Sequence, residues 1–378
     1  MMKKTFFLFA AGMLMSFSLQ GFAEDTSIGN EFPSLFRGVR PLGMGNAFLS
    51  MPGTDYSAQF YNPAAINDFE KKAHFDVISP SAESNTGIFN AIQDVVNLKN
   101  DLNSASTDAE KTNVFRQFTD ARTGDFHHVS TALPLFHIRN KYFSAGLLTD
   151  TRATIALRDQ TFSNVEVKAR GDAGMIAGSA YGFLEDTLQV GSNVKVLYRA
   201  ALEERVTTGD VLAQSLGDTF KWSNWKKGIG VGVDLGAKYQ LPLWQEILRP
   251  TVAISLQDIA DTRFSGGAPK TPMSISAGGG IFPKLGDIEF AILVDFREIN
   301  QKVDLLKKFH AGAEVKFPKF AGMVLSLRGG ANQGYPAAGL SLDWPIVALH
   351  AAYFGEEIGE YTHAKANYRF AAQLAFNW

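Results

Sequence analysis

The 378-residue chain contains no cysteine. A disulfide framework, a thiolate metal site and a cysteine nucleophile are therefore excluded, and no acceptor exists for a lipid anchor behind an export signal. Charge of one sign is also missing. Lys and Arg number 36 against 38 Asp and Glu, a formal net charge of −2, which leaves no basic footprint for nucleic acid. Beyond the N-terminus no run approaches the ~18 apolar residues of a spanning helix. The 7 histidines show no His-Glu-x-x-His or similar ligand spacing. His127 and His128 are adjacent, so on a strand they point to opposite faces. Neither a Gly-x-Ser-x-Gly elbow nor a recognisable carboxylate pair occurs. The expectation is a protein without metal, cofactor, catalytic site or nucleic-acid partner.

What is present begins with Lys3 and Lys4, an apolar run from Phe6 to Leu19, and Gly21-Phe22-Ala23. This reads as a secretory signal peptide over residues 1–23, cleaved after Ala23. The whole chain is 46% hydrophobic, yet its mean hydropathy is only −0.05, because apolar positions alternate with polar ones. Leu188, Val190, Val194, Val196 and Tyr198 oppose Gln189, Asn193, Lys195 and Arg199. The same pattern recurs from Ile229 to Leu241, Ile288 to Phe296 and Phe309 to Phe317. Period-two patterning repeated this often predicts a large antiparallel sheet.

The final stretch sharpens that reading. Tyr368, Phe370, Ala372, Leu374, Phe376 and Trp378 share one face, and Arg369, Gln373 and Asn377 the other. A closing strand with one apolar, aromatic face suits a sheet that shuts on itself in lipid. About fourteen strands are expected, an even number as in bacterial single-chain barrels. Short spacers such as Arg139-Asn140 and Glu185-Asp186 alternate with long ones such as Ser81–Phe126, Asp159–Gly171 and Glu204–Lys227. Short turns on the periplasmic side and long outer loops give that asymmetry. The fold class is thus an all-β transmembrane antiparallel barrel, with short helices in its outer loops.

Residues 37–66 are rich in glycine and small residues. Gly43 and Gly45 lack the third glycine of a nucleotide loop, since Phe48 takes its place. Gly43-x-Gly45-x-Ala47, Asp55 and Asn62-Pro63-Ala64 resemble the N-terminal hatch of the FadL-like outer-membrane superfamily. PorV-like and plasmid-transfer TraF-like barrels share the pattern. Gly329–Pro336 and Tyr353–Glu357 look more like the TraF-like and uncharacterised relatives. The resemblance implies a hatch over residues 24–72 folded inside a barrel of residues 73–378, in the outer membrane of a Gram-negative bacterium. It implies passive uptake of fatty-acid-like hydrophobic molecules, with outer-membrane lipid and the barrel-assembly machinery as partners. The alternative is a non-transporting barrel that docks a secretion, conjugation or surface-assembly partner.

Two outer loops carry helical patterning. Phe89 and Ile92 fall in one helix. Thr107-x-x-Glu110 is a capping box before Phe115 and Phe118. Leu212, Leu216 and Phe220 recur every four residues, followed by Trp222 and Trp225 among lysines. These nine residues either capture a hydrophobic ligand or pack the loops on the rim; the aromatic and lysine cluster also suits lipid headgroups. Charges expected inside the barrel are mixed in sign, which suits bracing by ion pairs. Glu356, Glu357 and Glu360 read as a solvated acidic loop.

Overall fold

The computed structural model describes residues 35–53, 55–158, 164–213, 220–359 and 362–377. The signal peptide, residues 24–34 of the expected hatch, Leu216, Glu360 and Trp378 lie outside the described residues. The wall runs through β1 (His74–Ile78), β2 (Ser81–Asn85), β3 (Phe126–Arg139), β4 (Phe143–Arg158), β5 (Asn164–Phe183), β6 (Leu188–Thr207), β7 (Lys226–Gln240) and β8 (Thr251–Gln257). It continues through β9 (Ser274–Ile281), β10 (Lys284–Leu285), β11 (Ile288–Phe296), β12 (Phe309–Lys316), β13 (Val324–Asn332), β14 (Tyr335–Asp343), β15 (Val347–Glu357) and β16 (Ala366–Asn377). Every neighbour pairs antiparallel. β1 and β2 share one position between β16 and β3, and β10 prolongs β9 along β11, so the strands fill 14 positions of a closed barrel.

Closure rests on β16. It pairs with β15 through Tyr353↔Phe370 on one side, and with β2 through Phe370↔Ser84 and β1 through Asp76↔Asn377 on the other. Pro80 has no N–H to give a ladder. The break it causes is bridged by Ser79 N donating to Pro134 O (3.1 Å) and Leu374 N donating to Pro80 O (3.0 Å).

The two faces of the wall invert the soluble pattern. On β6, Val190, Val194, Val196 and Tyr198 are exposed while Gln189, Asn193, Lys195 and Arg199 are buried. Apolar side chains outward and polar ones inward is the arrangement lipid requires. Tyr142, Tyr181, Trp244, Phe320 and Trp344 are exposed at the end with the short turns, forming an aromatic belt. At the other end the short Asn332–Tyr335 connection is a two-residue hairpin. Gln333 (φ 53°) and Gly334 (φ 87°) supply its two left-handed residues.

Three expectations need correction. The stretch 159–171 reads as loop, yet β5 starts at Asn164 and β6 runs on to Thr207. Their upper halves pair Lys168 with Glu203 and Glu166 with Arg205 on one face, so charge there marks a strand above the membrane. Ser81–Asn85, assigned to a loop, is β2, because the proline interrupts the pattern without ending the pairing. Glu356 and Glu357 are not solvated. Glu356 pairs with Arg37 (2.7 Å) and Arg369 (2.9 Å), and Glu357 is buried, accepting from Tyr335 Oη (2.7 Å).

Candidate functional site

Residues 35–69 form a second body. Short helices at Val39–Gly43 and Ser57–Tyr61 and a 3-10 helix at Pro63–Asp68 follow one another, and nearly every side chain is buried. Phe36, Phe48, Leu49, Phe60 and Tyr61 form an apolar core with inward residues of the wall, Leu148, Ile176, Leu197 and Leu293. Hydrogen bonds leave this segment all round the ring. Arg152 of β4 donates to Leu35 O (2.9 Å), Asn193 of β6 to Gln59 O (2.9 Å), and Asn62 Nδ2 to Ala237 O of β7 (3.2 Å) and Ile254 O of β8 (3.3 Å). Phe48 N and Leu49 N donate to Asp295 of β11 at 2.5 and 2.9 Å. A body bonded to opposite sides of a closed wall through its inward faces lies inside that wall.

Two arginines, Arg37 and the buried Arg40, tie it down. Arg37 binds Glu83 of β2 (2.9 Å) and Glu356 of β15 (2.7 Å), and Arg369 reaches both carboxylates at 3.1 and 2.9 Å. Arg40 makes a two-pronged contact with Glu314 of β12 (2.9 and 2.6 Å) and a third bond to Asp55 (2.7 Å). Glu314 is shared with Arg328 of β13 (2.5 Å). Such forked guanidinium–carboxylate pairs are strong and directional. Burial alone would raise the Asp55 carboxyl; Arg40 overrides it and holds the group below its usual range.

The glycines set how closely segment and wall approach. A Cβ on Gly43 would lie 2.9 Å from the Gly339 Cα of β14. Gly45 takes φ 62°, and a Cβ there would also meet Ala311 O at 2.5 Å. Gly312 and Gly330 face Met44 in the same way. The wall glycines were missed from sequence; their signal is an inward parity in the strand pattern. Asn62 accepts from Ala64 N (3.0 Å) and caps the 3-10 helix that Pro63 opens. Thus Gly43, Gly45, Asp55, Asn62 and Pro63 are brought together in one body.

Beneath it, at the end with the short turns, lies a cavity of about 230 Å³. Arg40, Asp55 and Tyr56 form one side, and Arg139, Arg328, Asp343 and His350 of the wall the other.

The eight of these loop residues that the structure describes are not gathered into one surface. Phe115 is buried with Val206 and Val211. The Arg122 guanidinium lies 4.6 Å from the Phe118 ring centroid. Phe89, Ile92, Phe220 and Trp222 are exposed, and Trp222 contacts Trp225 (5.3 Å) and Lys227 (4.3 Å). Leu212 is half-buried beside Val211.

No family model and no curated protein matches the sequence. Solved structures do match in fold. A TodX monoaromatic hydrocarbon channel mutant aligns with a TM-score of 0.51 and 10% identity over 90% of this chain and 98% of that one. The Ralstonia pickettii toluene transporter TbuX aligns at 0.50 and 10% identity, over 90% and 97%. The barrel therefore shares the fold of these channels, the architecture the FadL-like resemblance implies.

Proposed function

We propose that the protein is a FadL-like outer-membrane channel for passive uptake of hydrophobic small molecules. The observation that supports this most is the separate inner body over a cavity of about 230 Å³. A wall needs no such body to close. A body held by side chains, and seated above a chamber at the periplasmic end, is what a gate requires. On this reading residues 24–72 are the hatch, and a cleaved signal peptide and the barrel-assembly machinery deliver residues 73–378 to the membrane. The solved neighbours are a hydrocarbon channel and a toluene transporter, which supports monoaromatic hydrocarbons beside fatty-acid-like ligands. No cofactor and no catalysis are involved.

A docking barrel for a secretion or conjugation partner is the second reading. Its support is the density of buried ion pairs between nearby strands on the inner face of the wall, such as Lys195 with Asp234 and Asp258 (both 2.8 Å) and Arg199 with Asp172 (2.7 Å). Uptake of labelled toluene and of a labelled long-chain fatty acid by Gram-negative cells lacking their own channel separates the two. Faster entry of either than in empty-vector cells supports uptake. Equal rates for both, with a stoichiometric protein partner on purification, favour docking.

A further inference from the structure

The outward face of the wall stays apolar above the lipid band. Val165 of β5 pairs with Val206 of β6, on the same side of their strands as the exposed Met175, Val196 and Tyr198. Val206 is nevertheless buried, in a cluster of Phe115, Val211, Leu98, Leu102 and Val165. The helices Ile88–Ser104 and Asp108–Ala121 therefore lie against the outer side of the wall, not in its mouth.

Ile88–Ser104 uses only part of its apolar surface for this. Leu98 and Leu102 pack on the cluster. Phe89, Ile92 and Val96 are 80%, 57% and 47% exposed. Their spacing of three and four residues makes one stripe, and Lys99 follows on the same line. The helix also starts at the edge of the lipid-facing surface. Phe370, exposed on the outer face, pairs with Ser84. Thr86 N donates to Tyr368 O (3.3 Å), and Tyr368 stacks on Tyr353 (5.8 Å between centroids) at the outer rim.

We propose that Ile88–Ser104 is an interfacial anchor that lays Phe89, Ile92 and Val96 into the outer leaflet of the surrounding membrane. The helix that carries the stripe starts beside the lipid-facing wall, and Lys99 would reach the level of lipid phosphates, as long basic side chains do at interfaces. Phe89 and Ile92 are thereby assigned to lipid and not to ligand capture.

Because the chain lacks cysteine, single labels report single sites. The full chain carrying Ile92→Cys, Val96→Cys, Asn97→Cys or Val194→Cys is spin-labelled and reconstituted in phospholipid bilayers. Collision rates with oxygen and with a water-soluble nickel chelate are then compared. The proposal expects Ile92 and Val96 to favour oxygen several-fold over Asn97, approaching Val194 in the lipid band. Equal nickel access at Ile92, Val96 and Asn97 would place the stripe in water and overturn it. Shielding of Ile92 from both reagents, or spin coupling removed by diluting with unlabelled protein, would show a protein cover, a second copy in the latter case, and would overturn it as well.

Discussion

The wall and the inner body are built by different rules from the same chain. The wall is joined by backbone ladders that run unbroken from β3 to β16 and across the Pro80 interruption. Its side chains alternate, and half of them face lipid. Residues 35–69 have no strand and contribute nothing to the ladder among the described residues. They are held by arginine forks, by side chains bonding to backbone carbonyls, and by glycine contacts. The wall should therefore form without the inner body, whereas the inner body has no site without the wall.

The largest effect should come from breaking the wall. Deleting Ala366 onward removes β16 and opens two edges, on β15 and on β1 and β2. Open edges are not tolerated in hydrocarbon. The heat-modifiable folded band should be lost completely on gels. Folded band surviving the deletion would break the distinction between wall and inner body.

A glycine exchange should do the opposite. Gly339→Leu puts a side chain where even a Cβ would lie 2.9 Å from the Gly43 Cα. A strand gains from a larger residue at its interior, but the backbone it meets cannot give way. Overpacking of this kind costs about 1–3 kcal/mol or more. The folded band should persist while residues 35–69 become open to protease and entry of a hydrophobic probe changes. Loss of the band to the extent seen on deleting β16 would make the inner body part of the folding core.

These two variants also mark what the sequence makes legible. Alternation on β6, β7, β11 and β12 exposed the wall because lipid demands the same face on every strand. The Gly43 and Gly45 motif falls within the inner body, and the Thr107 capping box marks a helix start that the structure contains, with Glu110 N donating to Thr107 Oγ1 (3.2 Å). Less legible was anything fixed by distant partners. Arg37 meets Glu356 across 319 residues of chain, and no local pattern announces that. The upper halves of β5 and β6 were also hidden, since strands outside lipid lose the apolar signal while keeping their partners.

Arg40→Met removes the guanidinium and its ion pairs at nearly constant volume. Removing one partner of a buried pair costs about 3–5 kcal/mol because a charge is left behind. Here Glu314 keeps Arg328 at 2.5 Å, so the lower end of that range applies, and Asp55 loses its bond at 2.7 Å. Hydrogen exchange should speed up across residues 35–69 and stay unchanged in β5 and β6. Equal acceleration in both would mean that wall and inner body unfold as one unit.

Pro63→Ala should have the smallest effect and still separate the two bodies. Pro63 opens the 3-10 helix Pro63–Asp68, where a proline costs no hydrogen bond because the first N–H has no helical acceptor. Asn62 stays extended (φ −151°, ψ 110°) and keeps its bond from Ala64 N, and that backbone suits alanine at the next position equally well. The folded contacts therefore survive the exchange. What changes is the unfolded segment, which gains freedom once the fixed φ is gone, a loss of about 0.4–1 kcal/mol. Only an inner body that leaves its site independently of the wall feels that loss as a local opening. Exchange at Ala64–Phe69 should then rise two- to fivefold, by the same free-energy relation, with gel mobility and wall exchange untouched. If exchange at Ala64–Phe69 and in the wall rises by the same factor, those residues open only when the barrel does, and the inner body cannot act as a separate gate.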